Sequence, residues 1–353
     1  MAQGDITGSN LVPALGRLAA RRGFPMGYAA TGGDPALWRD RVLPHLRALI
    51  LPDLPAPAFA PEVLAEEDRH GGRIRLLRLT LTDGLTAQAL FAVPRARGPV
   101  PAVLALHDHG SEFRIGAAKC LTPPGPLPEG AQGWWDRCFG GHPFGDALLR
   151  RGYAVLAVDA LNWGARAGNG YEAQQALAAN LLQLGLSPAG IMAWEDLRAA
   201  EFLAAQPEVD AGRITAVGFS MGAFRAWQVA ALSPRVAGFV ASCWMASLPG
   251  LLVEGNNQTR GQSAFWMTHP LVARDLDLPD IAALAAPKPG LFQWGRADAL
   301  FPPAATEVAR DKLAAVWAAH GAAGALCLQD HPGGHVFGPD RQAAAFDWLA
   351  RAI

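Results

Sequence analysis

Short apolar runs alternate along this chain with longer stretches of helical period, and the two periods assign the elements. Residues 73–81 and 85–93 read as strands meeting at Asp83-Gly84, a pair of residues that favours a tight hairpin turn. Residues 100–107 and 153–159 are near-continuous apolar runs of the kind found in strands covered on both faces. Residues 213–219, 236–243, 290–294 and 323–328 bring the expected strands to eight. Helical spacing recurs at 144–151, 191–205, 223–232, 304–320 and 339–352. In the second of these, Trp194, Leu197, Phe202 and Leu203 oppose Glu195, Asp196, Arg198 and Glu201, as in an amphipathic helix, and Glu195, Asp196 and Arg198 read as a salt-bridged helix face.

The alternation predicts an α/β fold: an eight-stranded, mostly parallel sheet with helices on both faces and a helical N-terminal extension. Residues 1–65 form that extension and its linker. A helix is expected over 35–50, where Leu37, Val42, Leu43, Leu46, Leu49 and Ile50 fall near helical spacing, and Pro52, Pro55, Pro57 and Pro61 follow as extended chain. The extension is expected to pack on the core, with covering the mouth of the site or forming a homo-oligomer interface as the alternatives. Residues 66–353 read as one catalytic domain, interrupted by long loops at 110–143 and 247–287 that are expected to roof a pocket.

Composition narrows the partners. Of 353 residues, 51% are hydrophobic and 17% charged, with a net charge of −1, so neither nucleic acid nor an anionic membrane is expected. No apolar run approaches the ~20 residues of a membrane span. The N-terminus lacks a basic start followed by an apolar stretch, and polar, turn-forming residues follow Arg21-Arg22, so a cytoplasmic protein is expected. Cys120, Cys138, Cys243 and Cys327 are scattered without a C-x-x-C pair and are expected to be free thiols.

The candidate chemistry centres on Gly218-Phe219-Ser220-Met221-Gly222, between an apolar strand and a helix. A G-x-S-x-G at such a junction holds its serine on a turn too tight for bulky neighbours. A serine hydroxyl needs a base, and the base an orienting acid. Asp298 follows the seventh expected strand, where a carboxylate would face the crevice at the carboxyl edge of the sheet. His335 follows the eighth, behind a Gly-Gly pair that lets its loop swing inward; the rival His331 sits closer to the strand and precedes a proline. For the oxyanion, the Met221 amide and the backbone at Asp108 and His109 are expected to donate. His107-Asp108-His109 also resembles a metal-ligand fragment, but no further ligand cluster follows, so no metal is expected and His107 reads as a structural hydrogen-bonder. Asp159 reads as a loop organiser. Trp134, Trp135, Phe265 and Trp266 are candidates for the pocket wall, and Arg114 and Lys119 for receiving an anionic group of the substrate.

The order Ser220, Asp298, His335, each after its own strand, resembles the α/β-hydrolases over residues 70–353. Within them the chain is similar to the dienelactone-hydrolase-like and acetyl-xylan-esterase-like bacterial branch. The matching stretches are Leu106-His107-Asp108-His109-Gly110, residues 154–159, 196–200 and 207–210, and Arg213-Ile214. The resemblance implies a serine esterase that forms an acyl-enzyme on a small soluble ester and requires no cofactor. Two departures bear on substrate: dienelactone hydrolases proper carry a cysteine where this chain has Ser220, and secreted carbohydrate esterases carry a signal peptide. An acyltransferase or a C–C or amide hydrolase would use the same residues, and a non-catalytic binding member of the fold would need none of them.

Overall fold

Nine strands, one more than expected, form a single sheet in the computed structural model, which describes residues 11–69, 71–260 and 263–353. They are β1 (Glu62–Arg69), β2 (Gly72–Thr82), β3 (Leu85–Pro94), β4 (Val100–Leu106), β5 (Ala154–Val158), β6 (Val209–Phe219), β7 (Val236–Ser242), β8 (Gly290–Gly295) and β9 (Leu326–His331). Their order is β1-β2-β3-β5-β4-β6-β7-β8-β9. The strands from β1 to β3 run antiparallel, β3 is antiparallel to β5, and every pairing from β5 to β9 is parallel. Asp83-Gly84 makes the expected turn, with Gly84 at φ +71°.

The additional strand, β1, occupies what reads in sequence as linker, and residue 65 falls inside it. Its sequence, Glu-Val-Leu-Ala-Glu-Glu-Asp-Arg, lacks an apolar face because it lies on the sheet edge, where charge opposes pairing with another chain. Glu62 and Glu66 pair instead with Arg78 and Arg73 of β2. The last strand lies a few residues beyond its expected position, since Ala323–Ala325 is a helical turn. A helix at Tyr171–Gln183, unforeseen because its alanines and amides give no clear apolar stripe, precedes one at Pro188–Ala204.

The extension joins the main core. Asp34 caps the Pro35–Ile50 helix by accepting from the Ala36 amide at 2.8 Å, and Pro35 opens it. Trp38, Val42, Leu46 and Ile50 are all buried in the cluster that also holds the helix-facing residues of β4 and β6. Leu37, by contrast, is exposed.

The Pro188–Ala204 helix corrects the sequence reading of its charged residues. It is buried on nearly every side: Glu195 is 4% and Asp196 2% exposed. Neither belongs to an outer face. Glu195 receives Arg166 through two contacts of 2.8 Å, and Asp196 receives Arg225 of the Met221–Leu232 helix at 2.7 and 2.9 Å. Arg198 reaches Glu201 and the Pro57 carbonyl. All four cysteines are free, as expected. Among the described residues no single helix is long and apolar enough to cross a membrane.

The Asp196–Arg225 pair gives a stability prediction. Asp196→Ala strands a buried guanidinium and is expected to lower the unfolding free energy by about 3–5 kcal/mol. Asp196→Leu combined with Arg225→Met removes both charges and should recover most of that loss in urea titrations. Equal destabilisation by the single and double variants would refute the account.

Candidate active site

The sheet register puts Phe219 opposite Ser242, and the chain leaves β6 there directly into a helix. Ser220 makes the corner at φ 54°, ψ −124°, a conformation that costs a non-glycine residue roughly 1–3 kcal/mol. Its amide donates to the Ser242 carbonyl at 2.9 Å, which anchors the corner to the neighbouring strand. Both flanking glycines are required by space. A Cβ on Gly218 would come within 2.0 Å of the Gly222 carbonyl oxygen, and one on Gly222 within 1.8 Å of that of Leu106. Met221 opens the helix, and the Ala223 and Phe224 amides turn back to the Ser220 carbonyl at 2.8 and 3.1 Å, which leaves the Met221 and Gly222 amides as the two at the helix start without a helical acceptor.

Three side chains from three strand ends meet there. His335 Nε2 lies 2.8 Å from Ser220 Oγ, and His335 Nδ1 lies 2.7 Å from Asp298 Oδ2. The second carboxylate oxygen of Asp298 accepts from the Leu300 amide at 3.0 Å, which fixes the acid within its turn. Phe219 and Phe301 lie beside the imidazole, at 4.9 and 6.2 Å between ring centroids. His331, the rival in sequence, ends β9 and is not part of the cavity wall.

Arg341 holds the loop that carries the histidine. Its guanidinium donates to Gly333 O at 3.0 Å and Val336 O at 2.7 Å, one carbonyl on each side of His335. A third contact, at 2.8 Å, goes to Cys243 Sγ. Cys243, Asp298 and His335 are the one group of metal-ligand type among the described residues, with atoms within 4.8 Å of one another. Burial pushes the Cys243 thiol up to about 11, and the carboxylate and imidazole are already bonded to each other.

The loop after β4 faces the serine from the other side. Burial drives His107 far below the ordinary imidazole range, so the ring is neutral. Its Nδ1–H donates to Asp108 O at 2.9 Å, and Nε2 accepts from the Ala160 amide at 3.1 Å. His109 is held down to about 4, chiefly by burial. Its Nδ1 faces Gly110 O at 2.8 Å, and its Nε2 faces the Gln174 amide group at 2.9 Å. A neutral ring donating through Nδ1 must accept at Nε2, which calls for Gln174 to turn its nitrogen inward. These contacts use every ring nitrogen of the H-x-H fragment.

Lys119 does not meet solvent. It is fully buried, and its Nζ donates to Asp108 O at 3.2 Å and His109 O at 2.8 Å, with the Asp108 carboxylate at 3.5 Å. Burial pulls its pKa down while Asp108 opposes the shift. The lysine therefore staples the loop from beneath instead of receiving substrate. Asp159, as expected, organises a loop: it accepts from the Ala117 and Ala165 amides at 2.7 and 3.0 Å.

Ser220 and His335 open into a cavity of about 360 Å³ that Asp108, His109 and Trp134 also line. Four other sequence candidates lie elsewhere, among them Phe265, which is partly buried beside Trp266 at 6.2 Å between ring centroids. Arg114 is exposed and tied to Glu112 and Glu129 at 3.0 and 2.8 Å. Trp135 is buried with its Nε1–H on Ala118 O at 3.0 Å, and Trp266 is buried edge-to-face against Trp163. Tryptophans next to each other in a helix point to different faces, so only one of Trp134 and Trp135 reaches the cavity. Sequence reasoning missed Arg137, Tyr171, Trp244 and Phe301, all of which line it. Arg137 was within reach: it stands one turn beyond Trp134 on the same helix, with its guanidinium 5.1 Å from that ring.

Comparison with known proteins identifies the family and the fold. The model of the "Dienelactone hydrolase family" matches residues 142–322, a span that includes Ser220 and Asp298. "Putative hydrolase YtaP" of Bacillus subtilis (strain 168) is 30% identical over 288 residues, which is 81% of this chain and 90% of that protein. Among solved structures, a "putative acetyl xylan esterase" from Bacteroides fragilis superposes with a TM-score of 0.71 at 18% identity, over 90% of this chain and 81% of its own. A glucuronoyl esterase from Solibacter usitatus gives 0.64 at 16% identity, over 88% and 91%. At those identities the structural likeness concerns the fold. The family match covers half of the chain and the Bacillus relative four fifths of it, and on that evidence this chain is a hydrolase of the dienelactone hydrolase family.

Proposed function

We propose that the protein is a serine hydrolase that cleaves a carboxylic ester of a small soluble substrate through an acyl-enzyme. The observation that carries this reading is the unbroken hydrogen-bonded line Asp298–His335–Ser220, with contacts of 2.7 and 2.8 Å, ending in a cavity of about 360 Å³. A cavity of that size lies near the lower end of small-molecule sites. The named esterases among the structural neighbours agree with ester chemistry.

In this reading Ser220 Oγ attacks the ester carbonyl carbon while His335 Nε2 takes its proton. Asp298, bonded to Nδ1, keeps the ring in the tautomer whose Nε2 can accept and stabilises the imidazolium that forms. The oxyanion sits between the Met221 amide and the backbone of Asp108 and His109, where fixed donors cost no reorganisation as charge develops. The imidazolium passes its proton to the departing alcohol. Water, deprotonated by the same imidazole, then releases the acid and restores the serine. No step calls for a cofactor. Trp134 and Arg137 wall the substrate side, in place of Arg114, Trp135 and Trp266.

Hydrolysis of p-nitrophenyl acetate and labelling by a fluorophosphonate are both expected of the wild type, and Ser220→Ala should abolish both. Absence of both signals in the wild type would overturn the reading. Asp298→Asn should lower kcat by about 10⁴ with little change in KM, because the amide favours the wrong tautomer; a loss below tenfold would remove Asp298 from the triad. Arg341→Met should lower kcat by roughly 10–100-fold by loosening the His335 loop, since small misplacements of catalytic groups cost rates of that size. Arg341→Lys should recover part of that loss, and the pH profile of kcat should keep its shape in both variants.

A further inference from the structure

Four hydrogen bonds converge on two backbone carbonyls beneath the loop after β4. Lys119 Nζ donates to both, to Asp108 O at 3.2 Å and to His109 O at 2.8 Å. His107 Nδ1–H joins it on Asp108 O at 2.9 Å, and Trp163 Nε1–H joins it on His109 O at 2.8 Å. The Asp108 carboxylate stands 3.5 Å from Nζ and balances the buried charge. The indole of Trp134 lies over the same ammonium at 4.8 Å.

The two carbonyls belong to successive peptide units, which sets the direction of the amides. Both units are trans, so each N–H lies opposite the C=O of its own plane. The unit with the Asp108 oxygen carries the His109 amide, and the unit with the His109 oxygen carries the Gly110 amide. Drawing both oxygens onto Nζ therefore turns both amide hydrogens away from it. Lys119 is fully buried and has no place in the wall of the serine cavity, whereas Asp108, His109 and Gly110 are part of that wall. Among the described residues no backbone carbonyl accepts from either amide. Successive amides turned to one side form a concavity that binds anions. Gly110, at φ +49°, allows the turn, and a Cβ there would strike the Trp134 ring at 2.4 Å. The start of the Met221–Leu232 helix borders this loop, since a Cβ on Gly222 would lie 3.1 Å from the His107 carbonyl carbon.

We infer that Lys119 is a positioning residue for ester cleavage: it holds two successive peptide units so that the His109 and Gly110 amides, with that of Met221, receive the oxyanion. This role rests on the ester-hydrolase reading and adds a residue that never touches substrate. Two effects combine. The lysine fixes the peptide planes before charge develops, so the donors need no reorganisation in the transition state. A hydrogen bond on a carbonyl also polarises its peptide and strengthens the N–H as a donor. As Ser220 Oγ bonds to the ester carbon, the C=O electron pair moves onto oxygen and the serine proton passes to His335 Nε2. The amides held by Lys119 meet the charge that appears on that oxygen.

The test compares Asp108→Asn with Asp108→Asn combined with Lys119→Met, a pair that removes the lysine without stranding the Asp108 charge. Two quantities are read: kcat for p-nitrophenyl acetate, and Ki for butyl trifluoromethyl ketone, whose carbonyl takes up Ser220 Oγ to give a hemiketal anion. Adding Lys119→Met should lower kcat by about 10–100-fold, leave KM within about threefold, and raise Ki by a factor similar to the loss in kcat. A variant that merely folds poorly loses kcat through fewer active molecules and keeps its Ki. Loss of kcat at constant Ki, or a loss below about threefold, would therefore overturn the role. Lys119→Gln keeps a donor that can reach a carbonyl and should lose less of both. Should the double variant be insoluble, Lys119→Gln serves alone: kcat and Ki shifting together by about threefold or more support the role, and a constant Ki overturns it. If no ester is hydrolysed, the esterase reading fails, and the role is then read from the ketone adduct by fluorine NMR. An adduct on Ser220 that is weakened by loss of the lysine supports the role, and an adduct of equal strength, or none, overturns it.

Discussion

The structure depends on the contact between the Ser220 corner and the carbonyl of Leu106. The corner can turn directly from strand to helix only if the helix starts against the end of β4, and Gly222 lets that happen, since any side chain there would overlap the Leu106 oxygen. The corner itself is strained, with Ser220 at positive φ. Its amide bond to Ser242 and the buried helix behind it hold the strain in place. The Met221–Leu232 helix is buried at every residue, and its Arg225 is bolted to Asp196 on the next helix. The core therefore fixes the backbone that carries Ser220 Oγ, and the loop of His335 meets the hydroxyl there at 2.8 Å.

The rest of the site is held by loops, and these are fixed from behind by buried polar groups. Lys119 binds two carbonyls beneath the loop after β4, Asp159 gathers two amides of the neighbouring loops, and Arg341 spans the carbonyls on either side of His335. The logic is shared. A loop at the carboxyl edge of a parallel sheet has backbone groups that no ladder satisfies, and each must find a partner once it is buried. Supplying that partner from a long side chain satisfies the backbone and fixes the loop in one step. The surrounding charges also keep His107 and His109 neutral, because Lys119 adds to the effect of burial on both rings.

The parts of this arrangement that were legible in sequence share a local cause. The elbow, the strand preceding Asp298 and the glycines before His335 are each encoded within a few residues, where turn sterics and apolar runs leave a clear mark. What sequence concealed depends on distant partners. Glu195 and Asp196 read as surface because charge usually is, and only the arginines at positions 166 and 225 make their burial tolerable. Lys119 and Arg114 look alike in sequence, yet one is sealed under Trp134 and the other is exposed and paired with Glu112 and Glu129. β1 was hidden for the opposite reason, since an edge strand needs only backbone pairing and can carry charge throughout.

Pocket walls belong to the least legible class, because they are assembled from segments whose only relation is proximity. Trp134, Tyr171, Trp244 and Phe301 come from four separate stretches of chain, and each would read equally well as core. Aromatic character alone cannot separate wall from core, as the fully buried Trp266 and Trp163 show. A polar atom left without a partner is more discriminating, because core packing tolerates it poorly whereas a ligand can satisfy it. By that criterion the unusual residue in the 247–287 stretch is His269, whose imidazole has one nitrogen against Gln228 and the other buried without a partner. The cavity wall is then drawn largely from the long insertions, while Ser220, Asp298 and His335 stand at the strand ends beneath them.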